Sequence, residues 1–485
     1  MASAEVLRPR SSFDSLLSTA TSATQKLSQY RRFQKTSRSN VWASPDSDFP
    51  TVLDARFLEV KKRLVKPENY EAVQDSWYRL LDALKRRADE IEKAGPEYVP
   101  RVDYSSIGTD GRFPADIAAK IKEKGCCVVR GVVSRDQALQ WKQSLIDYCK
   151  HHPDVPGFPP ESPQFFGTFW QKAQVEARSH PSMIRAQAAM SQLYTANPAT
   201  EVDLTSLVVY ADRFRVRQPG TSGFLPPHLD NGSIERWEDP EYSTVYRAIF
   251  EGRWEEYDAW DMDHRAEATI DLYGGSGSCS TFRSLQGWLS IADNGPRCGT
   301  IQFLPDIKLS TAYIMLRPFF NSDDKLDLSN TYFYGADPGQ GQVVKTAWHP
   351  RLYLDKMIVS CPEAAPGDYV FWHCDTVHQV EAEHIGNNDS SVMYIPVVPL
   401  CGYNVGNMLA QRAAFLKGVP PPDLPVRLGQ STEENHEDRG RPADILSLQG
   451  QRMLGLAPFD EEDESLTEGQ RSIRTIANEA TSADP

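Results

Sequence analysis

The chain has 485 residues, 24% charged and 40% hydrophobic, with a formal net charge of −14 and a pI near 5.3. Such an acidic balance argues against a nucleic-acid partner, because phosphate binding needs a basic surface. No apolar run reaches the ~18 residues of a bilayer span, no secretory core opens the chain, and the 8 cysteines are scattered without a CxxC pair, so an intracellular protein with reduced thiols is expected.

Residues 1–48 are rich in Ser, Thr and Arg, with Glu5 and Asp14 the only acids before Asp46. They read as a disordered tail of a cytoplasmic protein; a mitochondrial transit segment is the competing reading, weakened by having only the short apolar cluster "FDSLL". Helical spacing follows. Val73, Trp77, Leu80, Leu81, Leu84, Ala88 and Ile91 recur near 3.6, opened by Pro67 and closed by Gly95-Pro96. "FPADIAAKIKEKG" predicts a second helix, "CCVVRGVV" a buried strand, and "SRDQALQWKQSLIDYCKHH" a third helix capped by Ser134 or Asp136. From about 200 to 400 the texture becomes β. "LTSLVVYADRFRVR", "GWLSIAD", "GTIQFLP", "TAYIMLRPF", "DYVFWH" and "VMYIPVVPL" stand between Gly, Pro, Asn and Asp turns, predicting an antiparallel sandwich or small barrel. Residues 235–275 read as a helical or irregular insertion. Residues 429–485 read as an acidic, solvated tail in which only "ADILSLQGQRMLGL" is expected to dock.

The chemistry centres on "PPHLDNGSIERW". In an extended segment His228 and Asp230 point to one side. Downstream, in "PGDYVFWHCDTVHQVEAEH", a turn at Gly367-Asp368 leads into a buried strand and then His378. Two histidines and a carboxylate on one face make the facial triad of non-haem Fe(II) oxygenases, which leaves positions open for a bidentate oxoacid and O₂. Taken singly, each histidine reads better as a satisfied core or loop residue; the three together favour a metal. A second His-x-Asp, His373 and Asp375, has no suitable third ligand: His384 is too near in sequence and His436 sits in the acidic tail. His384 is expected to support the site from behind or to lie on the surface.

"HLDNGSIERW", "FRSLQGWLSI", "CGTIQFLPDIK", "YIMLRPFF", "GDYVFWHCDTVHQVEAEH" and "VMYIPVVPLCGYN" together resemble the DUF1479 family, placed near the phytanoyl-CoA dioxygenase-like branch of the Fe(II)/2-oxoglutarate oxygenases. The resemblance spans about residues 50–455. It implies an α+β protein with a double-stranded β-helix (jelly-roll, cupin-like) core: one oxygenase domain over 49–428, with a helical region at 49–155 and the 235–275 insertion as lid or substrate wall. It further implies Fe(II) on His228, Asp230 and His378. The chemistry implied is oxidative decarboxylation of 2-oxoglutarate to succinate and CO₂, coupled to hydroxylation of a small molecule.

One departure bears on the cosubstrate. Most such oxygenases place an Arg about ten residues after the distal His to grip the far carboxylate, yet no Arg or Lys occurs from 379 to 400. Arg283 is the preferred substitute anchor, with Arg213 and Arg215 as alternatives that read equally as a solvated sheet face. Ser391 is a candidate hydroxyl contact, and Trp288 a candidate to stack over the site or to fill the core. Two other readings stay open: a metal-dependent cupin-like enzyme that does not use 2-oxoglutarate, and a non-catalytic regulatory or interaction protein on the same fold.

Overall fold

The computed structural model describes residues 49–223, 225–275, 279–424 and 432–483, so the expectation for residues 1–48 lies outside the described residues. The β segments assemble into three sheets among those residues. An eight-stranded sheet runs in the order β1 (Arg101–Asp103), β2 (Cys126–Arg130), β12 (Tyr369–His373), β8 (Leu285–Ser290), β14 (Ser390–Tyr394), β6 (Phe214–Arg217), β4 (Phe165–Phe166), β3 (Gly157–Phe158). A five-stranded sheet runs β10 (Gln342–Val343), β7 (Leu225–Leu229), β13 (His378–Val380), β9 (Ile301–Phe303), β11 (Val359–Ser360). β15 (Pro399–Cys401) pairs with β5 (Val202–Leu207). Every pairing is antiparallel except that of β1 with β2. The chain alternates between the two large sheets: β6, β8, β12 and β14 join the first, and β7, β9 and β13 the second. The protein is thus mixed α+β, built around antiparallel sheets.

β12 shows how composition selects position. "YVFWH" is apolar without alternation and is buried along its whole length, as a central strand covered on both faces must be. Its side chains still alternate. Trp372 turns toward the five-stranded sheet, its ring 5.7 Å from Phe303 and 5.1 Å from His378. His373 turns the other way, between Tyr194 and Trp260. Asp368 opens the strand by accepting hydrogen bonds from the backbone of Gly131 and Ala365, after Gly367 takes a φ of +96° that disfavours any side chain.

Helices cover the outside. Tyr70–Ala94 buries Val73, Trp77, Leu80, Leu84, Ala88 and Ile91, the stripe expected from their spacing; Leu81 is only partly buried. Trp77 stacks on Phe320 at 4.2 Å and on Tyr313 at 5.2 Å. Ser134, rather than Asp136, caps Arg135–His151, its hydroxyl accepting from the Gln137 backbone. All eight cysteines are unpaired. No helix among the described residues is long and apolar enough to cross a membrane.

Two expectations give way. "TAYIMLRPF" is not a strand: Ile307–Leu316 is an α-helix capped by Asp306. Nine of its ten residues are buried, so it is apolar all round and shows no period that would separate it from a buried strand. Nor is 432–483 a solvated tail. Beyond the helix Leu448–Met453 in the segment expected to dock, Glu468–Ala483 buries Ile473, Ile476, Ala477 and Ala480 in a cluster with Val208, Leu400, Val405 and Met408. Arg474 Nε meets the buried Asp203 carboxylate at 2.7 Å, and Glu433 accepts hydrogen bonds from the backbone N–H groups of Phe169 and Trp170. The acidic composition hides an i, i+3, i+4, i+7 apolar stripe.

Candidate metal centre

β7 and β13 lie side by side, and His228 is the direct cross-strand partner of His378. The two rings therefore share a face, 4.1 Å apart between centroids. Asp230 follows the end of β7, and its Oδ2 lies 3.5 Å from His378 Nε2. One ligand atom from each of His228, Asp230 and His378 lies within 4.8 Å of the others.

Local backbone fixes both tautomers by the same device. His228 Nδ1 sits 2.7 Å from the Pro226 carbonyl, and His378 Nδ1 sits 3.0 Å from that of Thr376. Each Nδ1–H donates to the carbonyl two residues back, which leaves the lone pair on Nε2. Burial lowers the pKa of His228, and burial together with the neighbouring His228 ring lowers that of His378 to about 3. Burial alone would push Asp230 up; Arg283, His378 and His228 outweigh it and hold the carboxyl below its usual range. At neutral pH the group is two neutral imidazoles and one carboxylate, the protonation state a metal requires of such ligands.

The look-alike pair at 373 and 375 has its atoms engaged elsewhere. His373 Nε2 lies 2.9 Å from the Ala259 carbonyl, and its Nδ1 accepts from the Asp375 backbone. The Asp375 carboxylate is enclosed by Arg265 (2.9 Å), Arg236 (3.4 Å) and the hydroxyls of Tyr246 and Tyr257. Arg236 also donates to the backbone carbonyls of Asp230 and Gly232. The second motif is therefore a buttress: through Arg236, Asp375 holds the loop that presents Asp230. Sequence reasoning placed the 235–275 stretch at a lid or substrate wall and missed this role. All four groups around Asp375 come from that stretch, Arg236 among them, six residues after Asp230.

The candidate anchors separate. Arg283 lies close enough to Asp230 to lower its pKa; its guanidinium sits 5.3 Å from the Tyr210 ring centre, and its buried Nε has no hydrogen-bond partner among the described residues. Arg215 is buried on the face of β6 shared with Val392, Tyr394, Trp288 and Trp372, which is the face turned toward β13. Its Nη2 donates to the Gly299 carbonyl at 3.3 Å, while its Nε is buried without a partner among the described residues. Arg213 is paired with Asp212 at 3.1 Å. Ser391 pairs in register with Val216, on the opposite face from Arg215, and its hydroxyl donates to Asp389, so it points away from the histidines. Trp288 is buried on the inner face beside Val370. His384 is fully buried rather than on the surface, and its Nδ1 accepts from the Gly386 backbone.

A family model described as Gig2-like matches residues 51–456. The chain belongs to the Gig2-like family. This bears out the DUF1479 resemblance, because a Gig2-like relative of known structure, GlcNAc Inducible Gene 2 (DUF1479) from Candida albicans, is 40% identical with a TM-score of 0.83, over 90% of this chain and 97% of that one. The uncharacterised protein YbiU of Escherichia coli K12 is 33% identical over 401 residues, 79% of this chain and 92% of YbiU. A Salmonella typhimurium LT2 protein, provisionally described as an oxidoreductase, is 29% identical with a TM-score of 0.71, over 84% of this chain and 100% of its own. The Gig2-like match ends before the helix Glu468–Ala483.

Proposed function

We propose that this Gig2-like protein is a non-haem Fe(II)/2-oxoglutarate-dependent dioxygenase that hydroxylates a small molecule using O₂. The observation that carries the reading is the His228/Asp230/His378 group, with both Nδ1 protons tied to carbonyls so that two lone pairs and a carboxylate converge. The donor set suits Fe(II): imidazole nitrogen with carboxylate, two plus one, is the facial arrangement of such oxygenases. Repeated crossing of the chain between two facing sheets from β6 to β14, with β9, β10 and β11 staying in the smaller one, supports a double-stranded β-helix as the core. The oxidoreductase description of the Salmonella relative is in keeping with redox chemistry.

Bound there, the metal supplies oxidative decarboxylation of an oxoacid coupled to oxygen insertion. The residues of this chain bind and orient. His228, Asp230 and His378 cancel one of two metal charges and leave a residual positive charge that favours an anionic cosubstrate. Arg283, buried with an unpartnered Nε beside Asp230, fits the distal carboxylate and replaces the arginine missing from 379–400. Trp372 and Phe303 keep water from the back of His378. Arg236 holds the Asp230 loop in place.

Anaerobic addition of Fe(II) and 2-oxoglutarate tests this through the visible metal-to-ligand charge-transfer band. Wild type should show the band, and His228→Ala with Asp230→Ala should lack it. Arg283→Ala should need roughly 10–100-fold more 2-oxoglutarate, the loss of a charge-assisted pair worth about 1.5–3 kcal/mol. Iron binding without a band in wild type would replace the cosubstrate half with the cupin-like reading. A band that survives the double variant would overturn the ligand placement.

A further inference from the structure

Gln286 and Trp372 stand directly opposite each other on β8 and β12, so their side chains share one face of the eight-stranded sheet. That face is the inner one, because the Trp372 ring lies 5.1 Å from His378. Both residues are buried, at 4% and 5% exposure. Yet Gln286 Nε2 and Trp372 Nε1 have no hydrogen-bond partner among the described residues. Folded proteins leave few buried donors unpaired, since each carries the full desolvation cost of its N–H. On the facing sheet the amides of Gln302 and Gln379 satisfy each other at 2.7 Å, so the fold pairs such groups where nothing else is to meet them.

Two more donors in the same condition belong to the segments around the candidate metal ligands. Arg283 Nε, three residues before Gln286, and Asn231 Nδ2, one residue after Asp230, are also buried without a partner among the described residues. The Asn231 side-chain oxygen accepts from the Arg283 backbone at 3.4 Å, which ties these two segments together. All four atoms are nitrogens that donate. An ionised carboxylate suits such a set because it only accepts, whereas a water also has to place its own hydrogens.

We propose that Gln286 Nε2–H and Trp372 Nε1–H are the donors that hold the head of an organic acid, the carboxylate end nearest the metal ligands, at the candidate centre. This rests on the oxygenase reading above and adds a division of labour to it. Arg283 takes the far carboxylate, and the Gln286–Trp372 pair takes the near one. The register assigns the near end, because Trp372 stands against His378 itself and Gln286 is its cross-strand neighbour. An amide and an indole donate without charge. They orient the acid while leaving its attraction to Arg283 and the metal.

The full chain loaded with Co²⁺, whose visible spectrum reports ligand binding without turnover, tests the assignment. Titration with 2-oxoglutarate is compared with titration by pyruvate, which keeps the oxoacid head and lacks the far carboxylate. Gln286→Met and Trp372→Phe should each weaken both acids by the same factor, roughly tenfold. Arg283→Ala should instead weaken 2-oxoglutarate far more than pyruvate. Without metal, Gln286→Met should melt at or above the wild-type temperature, because it removes an unpaired buried donor; a fall of several degrees would mark the carboxamide as structural and overturn its role. Affinity for both acids unchanged in both variants would overturn the pair, and so would a loss confined to 2-oxoglutarate, which would move the donors to the far carboxylate. A wild-type cobalt spectrum that responds to neither acid would overturn the oxygenase reading itself, and the assignment with it.

Discussion

Asp375 carries an unusual share of the fold's electrostatics for one side chain. Burial alone would raise its pKa, but Arg265 and Arg236 outweigh that and hold it far below the usual carboxylate range. Because the folded value lies below the unfolded one (~3.9), the contribution to stability is complete above about pH 4 and is lost as pH falls through the folded value. Asp375→Asn should cost about 3–5 kcal/mol at neutral pH, since it leaves two buried guanidinium groups without their anion. Urea titrations at successive pH values should show the wild type losing stability below about pH 4 more steeply than the variant. The same substitution frees Arg236, which also holds the Asp230 and Gly232 carbonyls. Fe(II) affinity should therefore fall about 10–100-fold although no ligand has changed, as read by anaerobic metal titration.

At the scale of elements, the C-terminal segment docks through a buried acid. Burial pushes the Glu433 carboxyl up to about 7, although hydrogen bonds from Phe169 and Trp170 favour the charged form. Its folded pKa thus exceeds the unfolded value of ~4.3, so its stabilising contribution is present below that value and is lost as pH rises through about 7. Hydrogen exchange at the Phe169 and Trp170 amides should accelerate between pH 6 and 8 by more than the intrinsic base-catalysed rise. In Glu433→Gln that excess should disappear. The elements differ in how openly they can be read. Helix Tyr70–Ala94 announces itself because one side is wet and its 3.6 spacing survives. Ile307–Leu316 does not, because burial on every side erases the period. Glu468–Ala483 conceals four well-spaced apolar residues within a polar, acidic setting, so composition outweighs pattern.

For the whole molecule, a metal that binds only the folded chain must stabilise it. Fe(II) at a hundred times its dissociation constant should add about 2.7 kcal/mol, read as a rise in melting temperature under anaerobic scanning that is lost in Asp230→Ala. The triad was legible because alternation along a strand puts His228 and Asp230 on one side, and a distant strand end supplies His378. The buttress was not. It depends on which way β12 turns His373, and on where Arg236 and Arg265 come to rest, both decided by packing between segments remote in sequence. The alternation of strands between sheets also sets an order of events. A nascent chain holds two of the three candidate ligands, at 228 and 230, long before 378 has been made, and β13 must then slot between β7 and β9. Assembly of the proposed iron site is thereby deferred until the sheet is complete, and a partly synthesised chain offers a metal at most two of the three proposed ligands.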